Sequence, residues 1–111
     1  MHDSVPGFRM PDDQQVQRAA ETFRLLADPT RMRILWALLQ GKSSVACLAE
    51  IVGAAPTAVS QHLAKLRLAG VVHGRREGTF IYYDVAADEH LRSLLTAALF
   101  SREAQPADSP R

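Results

Sequence analysis

The stretch PTAVSQHLAKLRLAG, residues Pro56 to Gly70, has the pattern of one amphipathic helix with a defined start and end. Proline favours the first helical turn and glycine the position just past the last, so these two residues mark the boundaries. At about 100° per residue, Val59, Leu63 and Leu66 fall on one side and are expected to anchor the helix to a core. The opposite side carries hydroxyl, amide and amine groups.

The polar side of this helix, near its N-terminus, predicts contacts with nucleic acid. Short hydroxyls, an amide and a lysine reach base edges and phosphates, and the positive end of the helix dipole attracts phosphate. For a helix taken alone, an ordinary solvated face is the alternative. For the histidine in this stretch, packing is the alternative to a phosphate contact. The predicted DNA-contacting residues of the helix are Thr57, Ser60, Gln61, His62 and Lys65.

The segments that flank this helix favour the nucleic-acid interpretation. A short helix capped by Ser43 or Ser44 ends at Val52, so that a helix-turn-helix is formed. After the quoted stretch the apolar period changes to two, with VVHGR and TFIYYDV as strands and the tripeptide REG between them. Arg75 and Arg76 at this hairpin tip are predicted to contact the DNA backbone or the minor groove.

Three further helices are predicted from apolar residues spaced three and four apart. Each begins with an acidic cap, and the second begins with the pair Asp28-Pro29 and ends at Gly41. The other two caps are predicted at Asp12 or Asp13 and at Asp88. The short helix before the quoted stretch is predicted to bury Val45, Leu48, Ile51 and Val52.

These elements together predict a mainly α fold with a small β-hairpin. The order is four helices, a hairpin and a last helix, which is a winged helix-turn-helix, over residues 12–103. Residues 1–11 are predicted to be a disordered N-terminal arm and residues 104–111 a disordered tail. A chain of 111 residues buries a limited core, so pairing with a second copy would stabilise it.

The composition argues against several classes of protein. No apolar run approaches the roughly 20 residues that cross a bilayer, which predicts a cytoplasmic protein that contacts no membrane. Although the net charge is +1, residues 31–83 carry seven of the 13 lysines and arginines but only two of the 12 acids. Such a basic surface attracts phosphate. No nucleophile with a nearby base, paired carboxylates or glycine-rich phosphate loop is evident, so the sequence predicts no enzyme.

A resemblance to the ArsR/SmtB family of bacterial winged-helix transcriptional regulators covers roughly residues 15–100. It is carried by the runs LADPTRMRILWALLQG and LAEIVGAAPTAVSQHLAKLRLAGVVHGRREGTFIYYDV. The resemblance implies a homodimer, joined through the first and last helices, that binds double-stranded operator DNA and in many members releases it when metal binds. A two-fold dimer places its recognition helices about 34–36 Å apart, one turn of DNA.

The metal patterns of the family are incomplete in this chain. SVACL stands where the family has the C-V-C-D-L type of motif, so the thiolate metal site is absent. Cys47 is predicted to be a small buried side chain, and a thiol sensor is the alternative. In the last helix the resemblance implies Asp88 and His90 as ligands, with Glu103 the nearest candidate for the second half. The alternatives are that Asp88 caps the helix and that His90 is a surface or interface side chain. At the N-terminus, His2 offers nitrogen ligands to nickel or copper. The alternative is an arm with no chemical role.

The sequence therefore predicts a bacterial, sequence-specific DNA-binding transcriptional regulator that acts as a dimer. Nickel or zinc is the candidate effector, and no other cofactor is implied. The alternative is a winged-helix regulator without metal sensing, controlled by a protein partner or by the Cys47 thiol.

Overall fold

A computed structural model of the chain describes residues 6–86 and 88–101, except the side chain of Asp88. The elements are α1 (Asp13–Leu26), α2 (Pro29–Gln40), β1 (Ser43–Ser44), α3 (Val45–Val52), α4 (Pro56–Leu68), β2 (Val72–Glu77), β3 (Phe80–Val85) and α5 (Asp88–Phe100). The predicted class, mainly α with a β-hairpin before the last helix, is confirmed. Over the described ranges, no helix is long and apolar enough to span a bilayer.

Side-chain caps start the first three helices, as the sequence indicates. The Asp12 carboxylate accepts from the Gln15 backbone N–H at 2.8 Å, and the Gln15 side chain accepts from the Asp12 N–H at 2.9 Å. Asp28 accepts from the Arg31 N–H at 2.9 Å, and Ser44 caps α3. These bonds satisfy N–H groups that a helix end leaves without partners, so each fixes where its helix begins.

The core is built from one apolar side of each packed element. In α4, Val59, Leu63 and Leu66 have no exposed surface, which confirms the predicted anchor of this helix. Burying each such side chain contributes roughly 1.5–3 kcal/mol. The other buried residues are Leu26, Ile34, Leu35, Leu38, Leu39, Leu48, Ala49, Val72, Val85, Leu91 and Leu95.

Two predictions about α3 are wrong. Ile51 is 60% exposed, and Ala49 is buried in its place. Cys47 is exposed rather than buried. The reason is rotational. α3 packs against α2 and α4 through a stripe of Val45, Leu48, Ala49 and Val52, and a side chain at position 47 or 51 projects more than about 90° away from the centre of that stripe.

The sheet has one strand more than the sequence predicts. β1 pairs antiparallel with β3, with Ser43 opposite Tyr83 and Ser44 opposite Tyr82, so the strand order is β1-β3-β2. A strand of two residues is too short to show the alternation by which strands are predicted. It joins the start of the helix-turn-helix to the hairpin, hereafter the wing (residues 72–85).

The turn of the wing begins two residues later than predicted and ends one residue later. Strand pairing continues from Val72 opposite Val85 to Glu77 opposite Phe80, which leaves Gly78 and Thr79 as the turn. Gly78 has a φ of 69°, and such two-residue hairpin turns need this left-handed conformation, which glycine adopts without strain. The arginines predicted to lie at the tip are therefore within β2.

The predicted cap of the last helix is placed differently. α5 begins at Asp88, which is its first helical residue and not the residue before it. Residues 6–11 contain no helix or strand, and the rest of the predicted arm, together with the tail at 104–111, lies outside the described residues.

Candidate nucleic-acid interface

The side of α4 opposite its buried anchor forms an open polar surface. Thr57, Ser60, Gln61 and Lys65 are all exposed, and together they are called the recognition face. Because the anchor on the other side is fully buried, the helix presents this face to solvent in a fixed orientation. Hydroxyl, amide and amine groups of this kind donate to and accept from base edges and phosphates.

The first turn of α4 differs from those of α1, α2 and α3. Its N-cap, Ala55, makes no side-chain hydrogen bond, and Pro56 occupies the first helical position. The backbone N–H groups of this turn, such as that of Thr57, therefore meet no side-chain cap. The positive end of the helix dipole lies at the same place, next to the recognition face, where it favours a phosphate.

The turn between α3 and α4 sets the position of the recognition face. Gly53 ends α3 in the left-handed conformation, and its N–H donates to the Ala49 carbonyl at 2.9 Å. Two residues later α4 begins, and α3 and α4 pack against one another. The pair forms the helix-turn-helix that the sequence predicts.

The two wing arginines lie on opposite faces of the wing. Arg75 is paired with Tyr82 and Arg76 with Ile81, and consecutive side chains in a strand project to opposite sides. Ile81 and Ser60 line one cleft between the wing and α4. The face of Arg76 is therefore the one turned toward the recognition helix.

The face of Arg75 carries acidic neighbours. Glu77 and Asp84 line the same cleft as Arg75, and the Lys42 ammonium lies 2.7 Å from a Glu77 oxygen. Lys42 also lies 5.5 Å from the centre of the Tyr82 ring. This mixed charge makes the Arg75 face less attractive to a polyanion than the Arg76 face.

His62 is set apart from the recognition face. The side chain is 22% exposed, and its Nε2 lies 3.8 Å from a carboxylate oxygen of Asp28. Its Nδ1 lies 3.3 Å from Nη1 of Arg31. These three side chains, Asp28, Arg31 and His62, are called the junction cluster. They join α4 to the start of α2.

Asp28 is the acidic group of the junction cluster, and its pKa lies below the ordinary value. The hydrogen bond from the Arg31 backbone N–H lowers the pKa of the Asp28 carboxyl. Partial desolvation opposes this shift, and the positive charge of the Arg31 guanidinium adds to it. Helical spacing gives the angular position of His62 but not the chain segment that it meets, so the sequence did not reveal this cluster.

The predicted metal ligands fall mainly outside the described residues. His90 is exposed on α5, whereas the Asp88 side chain, Glu103 and His2 are not described. Within the described ranges, no group of three or more histidines, cysteines, aspartates or glutamates is placed to hold a metal ion. The described residues by themselves therefore do not form a complete metal site.

Apolar side chains remain exposed on the first and last helices. In α1, Val16 is 50% and Phe23 57% exposed, and in α5, Leu94 is 38% and Leu99 40% exposed. Large apolar surfaces that a single copy leaves open mark sites of association.

Comparison with known proteins connects this geometry to a family. The model of the arsR family of bacterial regulatory proteins matches residues 28–73, from the start of α2 into β2. The HTH-type transcriptional regulator KmtR of Mycobacterium tuberculosis is 48% identical over 102 residues, which cover 92% of this chain and 77% of that protein.

Solved structures agree with the fold. The antimony-specific transcriptional repressor AntR is similar with a TM-score of 0.78 and 29% identity, over 93% of both chains. The homodimeric winged helix-turn-helix DNA-binding domain of Mb0332 from Mycobacterium bovis is similar with a TM-score of 0.73 and 27% identity, over 94% of this chain and 98% of that one. The winged helix-turn-helix prediction is confirmed, and the homodimeric Mb0332 domain supports the predicted homodimer.

Proposed function

Because this chain belongs to the ArsR family of bacterial regulatory proteins and is a DNA-binding transcriptional regulator, we propose that two copies bind one symmetric operator through their α4 helices. The observation that carries the proposal is the contrast within α4. Leu63 and its fellow anchors are completely buried, while Thr57 and Gln61 are exposed at the end of the helix that enters the major groove in a helix-turn-helix.

Each exposed group has a role that follows from its chemistry. Gln61 donates and accepts through one amide, which suits the edge of adenine in the major groove. Thr57 and Ser60, next to the uncapped helix start, contact bases and phosphate, and Lys65 contacts phosphate one turn later. Arg76, on the wing face turned toward α4, adds a contact to the DNA backbone or minor groove.

The dimer that presents two such helices is proposed to form through α1 and α5. Val16 and Phe23 on α1 and Leu94 and Leu99 on α5 supply exposed apolar surface for a second copy. Closing a two-fold interface buries this surface on both copies at once. The homodimeric relative supports the assembly.

Operator binding is tested on the DNA upstream of the protein's own coding region. Fluorescence anisotropy at moderate salt compares this duplex with a scrambled duplex of the same length and composition. We expect tighter binding to the upstream duplex, by about a thousandfold or more. Equal affinity for the two duplexes would contradict sequence-specific binding to that DNA, and no binding even at low salt would favour a protein-interaction module.

A transition-metal ion, nickel or zinc, is proposed as the effector of this regulator. The support is an exposed imidazole, His90, on a proposed dimerisation helix, together with a similar structure that is an antimony-specific repressor. His90 would hold the ion with Asp88 and with Glu103 of a second copy, or else His2 would hold it at the N-terminus. The ion would supply a charged link between two copies.

Calorimetry with Ni²⁺ and Zn²⁺ on the full-length dimer tests the effector, followed by the same titration on the DNA complex. His90→Ala and His2→Ala, made separately, distinguish the two candidate sites. Loss of metal binding in one variant and not the other identifies the site. Metal binding no tighter than that of the buffer would refute a metal effector.

The alternative is a regulator that is controlled without metal, either by the Cys47 thiol or by a protein partner. The exposure of Cys47 favours control by the thiol. Modification of an exposed thiol at the start of α3 would alter the helix-turn-helix directly. Alkylation of the wild type, with Cys47→Ala as the unreactive control, separates this alternative from metal control. If alkylation does not change DNA binding, control by the thiol is refuted, and control by a regulatory protein partner is the alternative that remains.

A further inference from the structure

We propose that Arg31 and His62 are positioning residues that fix the recognition helix to the α1–α2 junction, so that the dimer holds its two α4 helices at the spacing of the operator. This inference rests on the proposed operator binding through α4. It concerns residues that do not belong to the recognition face, and it changes the predicted role of His62 from a DNA contact to a contact within the protein.

Arg31 contacts two other helices at once. Its Nε donates to the Leu25 carbonyl, near the end of α1, at 2.6 Å. Its Nη1 lies 3.3 Å from Nδ1 of His62 in α4. Since Arg31 itself belongs to α2, one guanidinium joins α1, α2 and α4, and its planar fork can hold both partners in a fixed geometry.

The contact with Arg31 determines which ring nitrogen of His62 carries the proton. A guanidinium only donates hydrogen bonds, so Nδ1 of His62 must accept and the ring proton must be on Nε2. Nε2 then faces the Asp28 carboxylate at 3.8 Å, which is longer than a hydrogen bond but favours that orientation of the ring. Asp28 in turn accepts from the Arg31 backbone N–H, which closes the junction cluster.

The consequence lies in the geometry of the dimer. α1 carries exposed apolar residues for a second copy, whereas α4 carries the recognition face. Contacts that set the angle between α1 and α4 also set the distance between the two recognition helices of a dimer. A symmetric operator requires that distance to match about one DNA turn, whereas non-specific phosphate contacts do not.

Four variants test the proposal. Arg31→Lys keeps the charge, but one ammonium cannot bridge the Leu25 carbonyl and His62. His62→Ala removes the acceptor, and His62→Asn restores an oxygen at the bonded position of Nδ1. Arg33→Lys, the same substitution at an exposed position of α2, is the matched control.

Anisotropy titrations of the full-length dimers compare the symmetric upstream duplex with a scrambled duplex. We expect Arg31→Lys and His62→Ala each to weaken symmetric binding about tenfold with little change on the scrambled duplex. The double variant is expected to be no weaker than either single variant, because the two residues act as one unit. His62→Asn and Arg33→Lys are expected to stay within about twofold of the wild type, less than about 0.5 kcal/mol.

Three results would overturn the proposal: equal weakening on both duplexes, as a phosphate contact would give; additive weakening in the double variant; or no weakening in either single variant. A DNA-free measurement separates this outcome from failure of operator binding. ¹⁵N spectra of the His62 ring should show an unprotonated Nδ1 whose signal changes in Arg31→Lys but not in Arg33→Lys. If the wild type binds no duplex, the proposed function fails, and an Nδ1 signal unchanged in Arg31→Lys would overturn the junction as well.

Discussion

Arg75 and Arg76 are adjacent in β2 but project from opposite faces of the wing, since their cross-strand partners are Tyr82 and Ile81. Only the second face is turned toward the recognition helix, where Ile81 and Ser60 line one cleft. The first face carries Glu77 and its ion pair with Lys42. Two consecutive arginines are therefore not equivalent toward DNA.

This asymmetry predicts different effects for the two alanine variants. Arg76→Ala is expected to weaken binding to specific and scrambled duplexes alike, and to reduce the slope of log K against log salt by about one for each phosphate that the variant no longer neutralises. Arg75→Ala is the matched control and should change the slope less. Salt titrations from about 50 to 200 mM measure both. A larger slope change for Arg75→Ala would place the acidic face of the wing against the DNA.

The amide of Gln61 is expected to determine sequence preference. Gln61→Ala should lower discrimination at one base pair of each half-site by about 1–3 kcal/mol and leave scrambled binding unchanged. Lys65→Ala, one turn further along the same exposed face, should instead weaken all duplexes. Competition titrations with a set of single-base operator variants give the discrimination at each position. An unchanged preference profile in Gln61→Ala would exclude direct base recognition by this side chain.

The anchor of α4 predicts a large difference between two leucines of one helix. Leu63 is completely buried and Leu68 is 84% exposed. Leu63→Ala should lower the free energy of unfolding by about 2–5 kcal/mol, because it leaves a cavity in the core. Leu68→Ala should change it by less than about 0.5 kcal/mol. Urea denaturation followed by circular dichroism measures both, and similar decreases would contradict the packing of α4.

Dimer formation is predicted to depend on the apolar side of α1. Phe23 is 57% exposed in the single chain, so Phe23→Asp should leave the fold of each copy intact while placing a charge in the interface. We expect monomers by analytical ultracentrifugation and a loss of operator affinity. Gln14→Asp, about 180° from Phe23 around the same helix, should remain dimeric. A dimeric Phe23→Asp variant would direct the search for the interface to other surfaces.

Acid should weaken the junction cluster through Asp28. The Arg31 N–H holds the pKa of this carboxyl below its ordinary value in the folded protein. Its ionised form therefore contributes stability that is complete above the unfolded pKa of about 3.9 and is lost as pH falls through the folded-state pKa. Asp28→Asn keeps a cap of good quality but loses the charge.

The wild type is accordingly expected to be more stable than Asp28→Asn at about pH 6, with the difference closing as the pH falls below about 4. Urea denaturation over this range measures it. Glu21→Gln, which removes an exposed carboxylate from α1, serves as the control. A difference that does not change with pH would mean that the charge of Asp28 has no part in stability.

The sequence predicted the features that depend on local spacing. The α4 anchor at Val59, Leu63 and Leu66 is confirmed because helical periodicity alone assigns it. The caps at Asp12 and Asp28 are confirmed because each makes its hydrogen bond within its own first turn. Such features need no knowledge of which distant segments meet.

What the sequence did not predict depends on distant partners. β1 pairs with a strand about forty positions away, and the contact between Arg31 and His62 spans 31 positions. The exposure of Cys47 and Ile51 depends on the rotation of α3 against its neighbours, which a helix of eight residues shows poorly in its pattern. The predicted ligands Glu103 and His2 remain untested predictions.

The pairing of β1 has a mechanical consequence. Ser44 pairs with Tyr82 in the sheet and is also the cap of α3. No linking residue therefore separates the sheet from the start of α3. A displacement of the wing by a bent or narrowed duplex would therefore also move the first turn of α3. The curvature of the DNA, and not its base sequence alone, would then affect the position of the helix-turn-helix.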